Sequence, residues 1–154
     1  FMNTINIVGS GLTAQQLRLD IVAENVTNSQ TTRTENGGGA YRRKMVVFEA
    51  VSGRDTFRDA MARASARAVP NGSANPTAGG VRVTQIMEDE ETPMKIVYDP
   101  THPDADEEGY LEMPNVDMVK EIADAMAASR AYASNVTAFN TLKSVLSSGL
   151  EIGR

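Results

Sequence analysis

The 154-residue sequence contains no cysteine, no tryptophan and a single histidine. The lack of cysteine excludes disulfides, thiolate nucleophiles and zinc–thiolate sites. The one histidine, His102, has no second histidine or cysteine with which to complete a transition-metal site. A loop-fixing hydrogen bond is the role that we predict for it. We predict no catalytic residues, no metal and no cofactor.

The sequence also lacks a basic excess and a long apolar run. Its net charge is −5 and its pI about 4.9, so nothing like the basic stripe of a nucleic-acid-binding protein is present. The only dense basic patch is Tyr41 to Lys44, which we interpret as the solvated face of a strand. No apolar stretch approaches the ~20 residues that span a bilayer. The start, Phe1 to Thr4, does not resemble a signal peptide, so another export route is expected if the protein works outside the cytoplasm.

The N-terminal segment carries an apolar stripe with alternating steps of three and four residues. This spacing predicts an amphipathic helix with a coiled-coil-like seam. The seam positions are Ile5, Val8, Leu12, Gln15 (the polar exception), Leu19, Val22 and Val26. Near the end of this helix, Asn25 and Asn28 are predicted to terminate it through hydrogen bonds to the backbone. Contact with a neighbouring subunit is the alternative role for both.

A second helical stripe occupies the C-terminal segment. The helix is predicted to begin near Asn115 or Asp117, after Pro114, with Asp117 and Glu121 opposing the positive end of its dipole. The residues that we expect on its packing face are Met118, Ile122, Tyr132, Val136, Phe139, Leu146 and Leu150. Arg130, Tyr132 and Asn135 lie mid-helix. They are either ordinary helix surface or, for Tyr132 and Asn135, hydrogen-bonding groups between helices or subunits.

Between the helices, the pattern indicates short strands and loops. A strand is expected over 41–51, a short helix over 54–68 and a flexible linker or hairpin tip over 70–80. The apolar runs 81–87 and 94–98 flank an acidic turn and predict an antiparallel hairpin.

The predicted fold class is therefore α+β. Long N- and C-terminal helices pair as an antiparallel coiled-coil-like bundle, with a small irregular β-hairpin region between them. The helical unit comprises 1–28 and 115–154, and the irregular region 29–114. A single helix pair has a thin core and leaves apolar surface uncovered, which favours a subunit that packs against copies or neighbours. A monomeric helix pair packed on the β region is the alternative.

The acidic loop that begins at Asp99 offers a second class of function. Asp104, Asp106, Glu108 and Gly109 partly follow a calcium-loop pattern, but Asn115 stands where that pattern requires Glu. A solvated acidic loop is the preferred interpretation, and a small metal-binding domain or enzyme that uses residues 99–108 remains the alternative.

Blocks that are distributed in order from Ser10 to Val136 resemble one known family. The N-terminal blocks are Ser10–Arg18, Ala23–Asn28, Thr31–Thr34, Gly38–Lys44 and Val46–Glu49. The later blocks are Tyr98-Asp99-Pro100-Thr101-His102-Pro103, Asp104–Asp106, Gly109–Leu111, Pro114–Asp117, Glu121, Ser129–Tyr132 and Asn135-Val136. Together they are similar to the bacterial flagellar rod and hook axial proteins, and most of all to the branch that forms the proximal rod.

This resemblance implies a structural subunit that polymerises helically in the periplasm. Its terminal helices would pack into the drive shaft and the wall of the export channel. The implied partners are copies of the chain, other rod subunits, the junction and export-gate proteins of the basal body, and the flagellar type III export apparatus. Another subunit of the same axial family is the closest alternative.

Overall fold

A computed structural model describes residues 2–34, 39–52 and 78–152. The first described element is helix α1 (Met2–Thr27), and the last is helix α2 (Met118–Ile152). Between them lie strands β1 (Lys44–Ser52), β2 (Ala78–Glu88), β3 (Lys95–Tyr98) and β4 (Tyr110–Met113). The predicted helix 54–68 and most of the predicted linker or hairpin tip 70–80 lie outside the described residues. The described end of that range, Ala78–Gly80, forms the start of β2.

Helices α1 and α2 pack against each other in antiparallel order. Arg18 bonds Asp124, and Asn25, seven residues further along α1, bonds Glu121, which precedes Asp124 in α2. Near the start of α1, a Cβ on Gly11 would lie 2.9 Å from the Asn135 amide nitrogen, so the helix backbone approaches α2 closely there. The predicted α+β class and the helix pairing are confirmed.

The helix ends follow ordinary capping rules. The Asn28 side chain donates to Glu24 O at 3.0 Å, so the predicted role of Asn28 at the end of α1 is confirmed. Asp117 Oδ1 accepts a hydrogen bond from Val119 N at 3.0 Å and so caps the start of α2, directly after the buried Pro114, Asn115 and Val116.

The strand pairing differs from the predicted hairpin. The run 81–87 belongs to β2, which pairs antiparallel with β1 from Lys44↔Glu88 to Ser52↔Ala78, with an irregularity after Val47. The run 94–98 contains β3, which pairs with β4 in the register Lys95↔Met113 to Tyr98↔Tyr110. The prediction was wrong because it joined neighbouring apolar runs, whereas each run pairs with a strand on its other side in the sequence.

Helix α1 lies between α2 and the β1–β2 sheet. Its Ser10 hydroxyl accepts a hydrogen bond from Val81 N at 3.0 Å, and Gly80 packs directly on Ser10. The buried apolar side chains of the described residues are Ala14, Ile21, Val22, Ala40, Tyr41, Leu111, Val116 and Ala128. Three of these eight side chains are alanines, so the apolar core is thin and the polar contacts between elements are important for the alignment of the fold.

Candidate assembly surface

A buried polar cluster joins the two helices to the start of β1. Asn25 in α1 is only 1% exposed, and both its amide nitrogen and its amide oxygen form hydrogen bonds. Its nitrogen donates to Lys44 O at 2.9 Å and to Glu121 Oε2 at 3.0 Å. Its oxygen accepts from Lys44 N and from the Tyr41 hydroxyl, both at 2.9 Å. The predicted capping role of Asn25 was wrong, because these bonds reach across to β1 and α2 and not to the end of its own helix.

Glu121 is the carboxylate at the centre of this cluster, with no exposed surface. Arg43 Nε donates to its Oε1 at 2.6 Å, while Asn25 bonds its other oxygen. The Asp124 carboxylate lies beside it and forms two further ion pairs. Its Oδ1 lies 3.0 Å from Arg18 Nη2, and its Oδ2 lies 3.4 Å from Arg43 Nη2. The cluster therefore satisfies a buried negative charge with one cation and one amide, as a buried charge requires.

The sequence pattern predicted that the basic run 41–44 forms a solvated face, and this prediction was wrong. Only Arg42 is exposed; Tyr41 is buried, and Arg43 and Lys44 are half-buried. Burial, and to a lesser degree the carboxylates of Glu24 and Glu121, raises the pKa of the Tyr41 hydroxyl above its usual value. The neutral hydroxyl is therefore the form that donates to Asn25.

Asn115 makes a second set of contacts at the start of β1. Its Oδ1 accepts from Arg43 N at 2.8 Å, and its Nδ2 donates to Asp89 O and Thr92 O at 2.9 and 3.0 Å. The backbone N–H and the hydroxyl of Thr92 both bond the Asp89 carboxylate and lower its pKa. Asn115 thus ties the segment before α2 to β1 and to the turn after β2.

The predicted packing positions of α1 are mostly half-buried. Val22 and Asn25 are buried, and the others are intermediate: Ile5, Val8, Leu12, Gln15, Leu19, Val26 and Asn28. The side-chain oxygen of Gln15 is buried, and it has no hydrogen-bond partner among the described residues.

The predicted packing positions of α2 are more exposed than those of α1. Tyr132, Asn135 and Val136 are half-buried; Met118, Ile122, Arg130, Phe139, Leu146 and Leu150 are exposed. The fully buried side chains of α2 are Glu121 and Ala128, which face α1 in place of Met118 and Ile122. No hydrogen bond joins Tyr132 or Asn135 to α1 within the described ranges. For both side chains, a hydrogen bond to a neighbouring subunit stays a prediction.

The predicted loop motif is held by its own side chains. Asp99 bonds the backbone N–H and the hydroxyl of Thr101, and these bonds lower its pKa. His102 Nδ1 accepts from Asp104 N at 3.1 Å, the kind of loop-fixing contact that we expected. His102 and Asp99 are half-buried, whereas Tyr98, Pro100 and Pro103 are exposed.

The acidic side chains of this loop point to different partners. Asp104 bonds Thr32 and forms an ion pair with Arg33, while Asp106 accepts from the backbone N–H groups of Glu108 and Tyr110. In the part of the chain that the structure describes, no three His, Asp or Glu residues are grouped so that they could hold a metal ion. Neither described helix combines the length and the hydropathy that a bilayer-crossing segment needs.

The chain is similar to several known proteins over nearly its whole length. "Flagellar basal-body rod protein FlgC" of Bacillus subtilis (strain 168) is 41% identical over 155 residues, covering 99% of this chain and 97% of that protein. The chain belongs to the FlgC family of flagellar basal-body rod proteins. It is thus a structural subunit of the flagellar rod.

Other members of the FlgC family and two family models agree with this assignment. The Borreliella burgdorferi protein is 39% identical over 97% of this chain and 95% of that protein. The Escherichia coli O157:H7 protein is 37% identical over 99% of this chain and 98% of that protein. The model for flagella basal body rod proteins matches residues 5–33, and that for the C-terminal part of the flagellar basal body rod FlgEFG proteins matches 107–152. The two matched segments contain most of α1 and all of α2.

Residues of the buried cluster show what the sequence pattern missed. The sequence pattern predicts that Glu121 opposes the helix dipole and that Arg43 lies on the surface. It indicates Asn115 only as a possible first residue of α2. Each has a plausible local role, so only the packing of distant segments shows that they meet. The one available signal was the presence of an asparagine, Asn25, beside the largely apolar stripe of α1.

Proposed function

We propose that this chain polymerises helically in the proximal part of the rod, through apolar surface that its terminal helices leave uncovered. In this proposal, the terminal segments 1–28 and 115–154 act as the assembly unit and line the export channel. The role is purely structural, without catalysis, nucleic-acid binding or membrane insertion.

The exposed apolar side chains on the first half of α2 carry this proposal. Val119 is 76% exposed, Met126 52% and Ile122 51%, and their spacing of three and four residues puts them on one side of the helix. Single exposed apolar residues are common, but a grouped set on one helix face indicates a contact surface.

The end of α2 offers a second uncovered stretch. The two helices have 35 and 26 residues and run antiparallel, with Gly11 opposite Asn135, so the last turns of α2 extend past the start of α1. Leu146 and Leu150 are exposed there. A neighbouring subunit that covered them would add about 25 cal/mol of stabilisation for each Å² of apolar surface removed from water.

The β3–β4 hairpin adds an aromatic surface outside the helices. Tyr98 and Tyr110 stack edge to face with ring centroids 5.3 Å apart, and both are exposed, as is Ile96. Tyrosines of this kind are enriched in protein interfaces. We assign this hairpin to contacts with adjacent subunits of the rod.

Membership of the FlgC family supports a proposal for the cellular setting of the protein. We propose a periplasmic location within the basal body and passage through the flagellar type III export apparatus. The proposed partners are copies of the chain, other rod subunits, and the junction and export-gate proteins. The helical assembly contact is the part of this proposal that a small set of variants can test.

The test compares apolar-to-charged variants in a strain whose own copy of the protein has been deleted. Val119→Asp and Leu150→Asp should each abolish swimming, because a carboxylate would have to be buried in the subunit contact. Ser148→Asp, at another exposed position near Leu150, is the matched control and should leave swimming intact. Thermal unfolding of each purified monomer should be nearly unchanged. Normal swimming of both apolar-site variants would contradict the proposed surface.

A further inference from the structure

We propose that Asn25, Arg43 and Glu121 form a polar clasp that fixes the axial register of α1 against α2. The clasp is defined by the hydrogen bonds Asn25 Nδ2 to Glu121 Oε2 at 3.0 Å and Arg43 Nε to Glu121 Oε1 at 2.6 Å. This inference concerns the alignment of the helices within one chain, and it stands independently of the proposed assembly contact.

The apolar part of the helix interface cannot fix the register alone. The stripe of α1 repeats every seven residues, so a slip of one heptad again places apolar side chains at the interface. The opposing surface of α2 includes the small residues Ala125, Ala128 and Ala131, whose side chains provide little shape with which to distinguish one alignment from another. Two alignments would therefore differ little in apolar burial.

The polar residues do distinguish these alignments. A slip of seven residues moves α1 by about 10 Å along α2. Asn25 would then lie opposite Ala128 instead of Glu121 and would lose all contact with the carboxylate. A buried amide and a buried carboxylate without partners are strongly unfavourable, so the slipped state is penalised far more than its apolar contacts indicate.

The clasp also makes helix alignment depend on β1. Asn25 bonds both backbone groups of Lys44, and Arg43 supplies the only cation that bonds Glu121 among the described residues. The start of β1 must therefore be in place for the two helices to satisfy their buried polar groups. The same residues set the helix register and attach the sheet to the helix pair.

Disulfide trapping can test the register directly, since the chain has no cysteine of its own. Gly11→Cys with Asn135→Cys reports the native register, because a Cβ at residue 11 would touch the side chain at residue 135. Gly11→Cys with Leu142→Cys reports a slip of one heptad. Each pair is introduced into the full chain, and the oxidised monomer is analysed by the ratio of slipped to native disulfide.

The clasp is removed by Asn25→Leu combined with Glu121→Leu. We expect the ratio of slipped to native disulfide to rise about tenfold, because the remaining apolar interface tolerates both alignments. Asp20→Leu with Asn140→Leu is the matched control: it removes one carboxylate and one amide at exposed positions of the same helices, and it should leave the ratio unchanged.

An unchanged ratio in the clasp variant would overturn the proposal. If that variant loses its helical circular dichroism signal, the same cysteine pairs are measured in Glu121→Gln, which keeps the side-chain shape and removes the charge. A higher slipped-to-native ratio in Glu121→Gln then supports the clasp, and the parent ratio contradicts it.

Discussion

Arg43 Nε lies 2.6 Å from Glu121 Oε1, and the Glu121 side chain is completely buried. The arginine comes from the segment that enters β1, and the glutamate from the first turns of α2. This ion pair places charge inside the fold. Removal of either partner would leave the other charge without its counter-ion, which destabilises the folded state.

Replacement of Arg43 by Met should destabilise the fold strongly. It leaves the Glu121 carboxylate buried with no cation, for which a loss of about 3 kcal/mol in the free energy of unfolding is expected. Urea unfolding followed by circular dichroism measures the change. Arg42→Met, at the exposed neighbouring position, is the control and should change the free energy by less than about 0.5 kcal/mol. Equal stability of the two variants would show that the ion pair contributes nothing.

Replacement of Asn115 by Ala should also be costly, since three backbone groups lose their bonds. Arg43 N, Asp89 O and Thr92 O all bond the Asn115 side chain, which is 4% exposed. A loss of about 2–4 kcal/mol is expected, because buried backbone groups would lack partners. Asn140→Ala, at an exposed site on α2, provides the comparison. Thermal unfolding midpoints that coincide would contradict this account.

Gly80 should not tolerate a side chain. Its φ is +100°, and a Cβ would collide with the Ser10 hydroxyl that accepts the Val81 N–H. Gly80→Ala should cost about 2 kcal/mol through backbone strain and the forced separation of α1 from β2. Gly149→Ala is the opposite case, because nothing lies near a Cβ there and alanine favours a helix by about 1 kcal/mol. Opposite shifts in unfolding midpoint are the expected result.

The Asp89 carboxylate should make the free energy of unfolding depend on pH. Its pKa in the folded state lies below the ordinary 3.8 because Thr92 donates two hydrogen bonds to the carboxylate. The resulting stabilisation is complete above pH 3.8 and disappears as the pH falls through the lower folded-state pKa. The parent should therefore lose more free energy of unfolding than Asp89→Asn over that interval. Glu90→Gln, at the exposed neighbour, should follow the parent; parallel curves for Asp89→Asn and the parent would refute the prediction.

The helices were predictable because their signals are local. The heptad spacing from Ile5 to Val26 indicated α1, which spans Met2–Thr27, and Pro114 with Asp117 placed the start of α2 within a few residues of Met118. Both signals depend on neighbours within two turns. The first strand, expected over 41–51 and found at Lys44–Ser52, has a similarly local pattern.

The sheet partners and the buried cluster were not predictable in this way. The pairing of 81–87 with β1, and of 95–98 with β4, depends on segments that are distant in sequence, and the local pattern favours the neighbouring run. Glu121 and Arg43 look like surface residues until the chain brings them together. The alternation of apolar residues cannot show which charged side chain will be buried with a partner.

The long sequence separation within the helix interface has a kinetic consequence. Asn25 and Glu121 are 96 positions apart, and Arg18 and Asp124 are 106 apart. Contacts between residues this far apart in the sequence form late in folding, because a large loop of the chain has to close first. A chain that emerges gradually through a narrow passage therefore carries its leading helix without its partner until almost all of the polypeptide has followed.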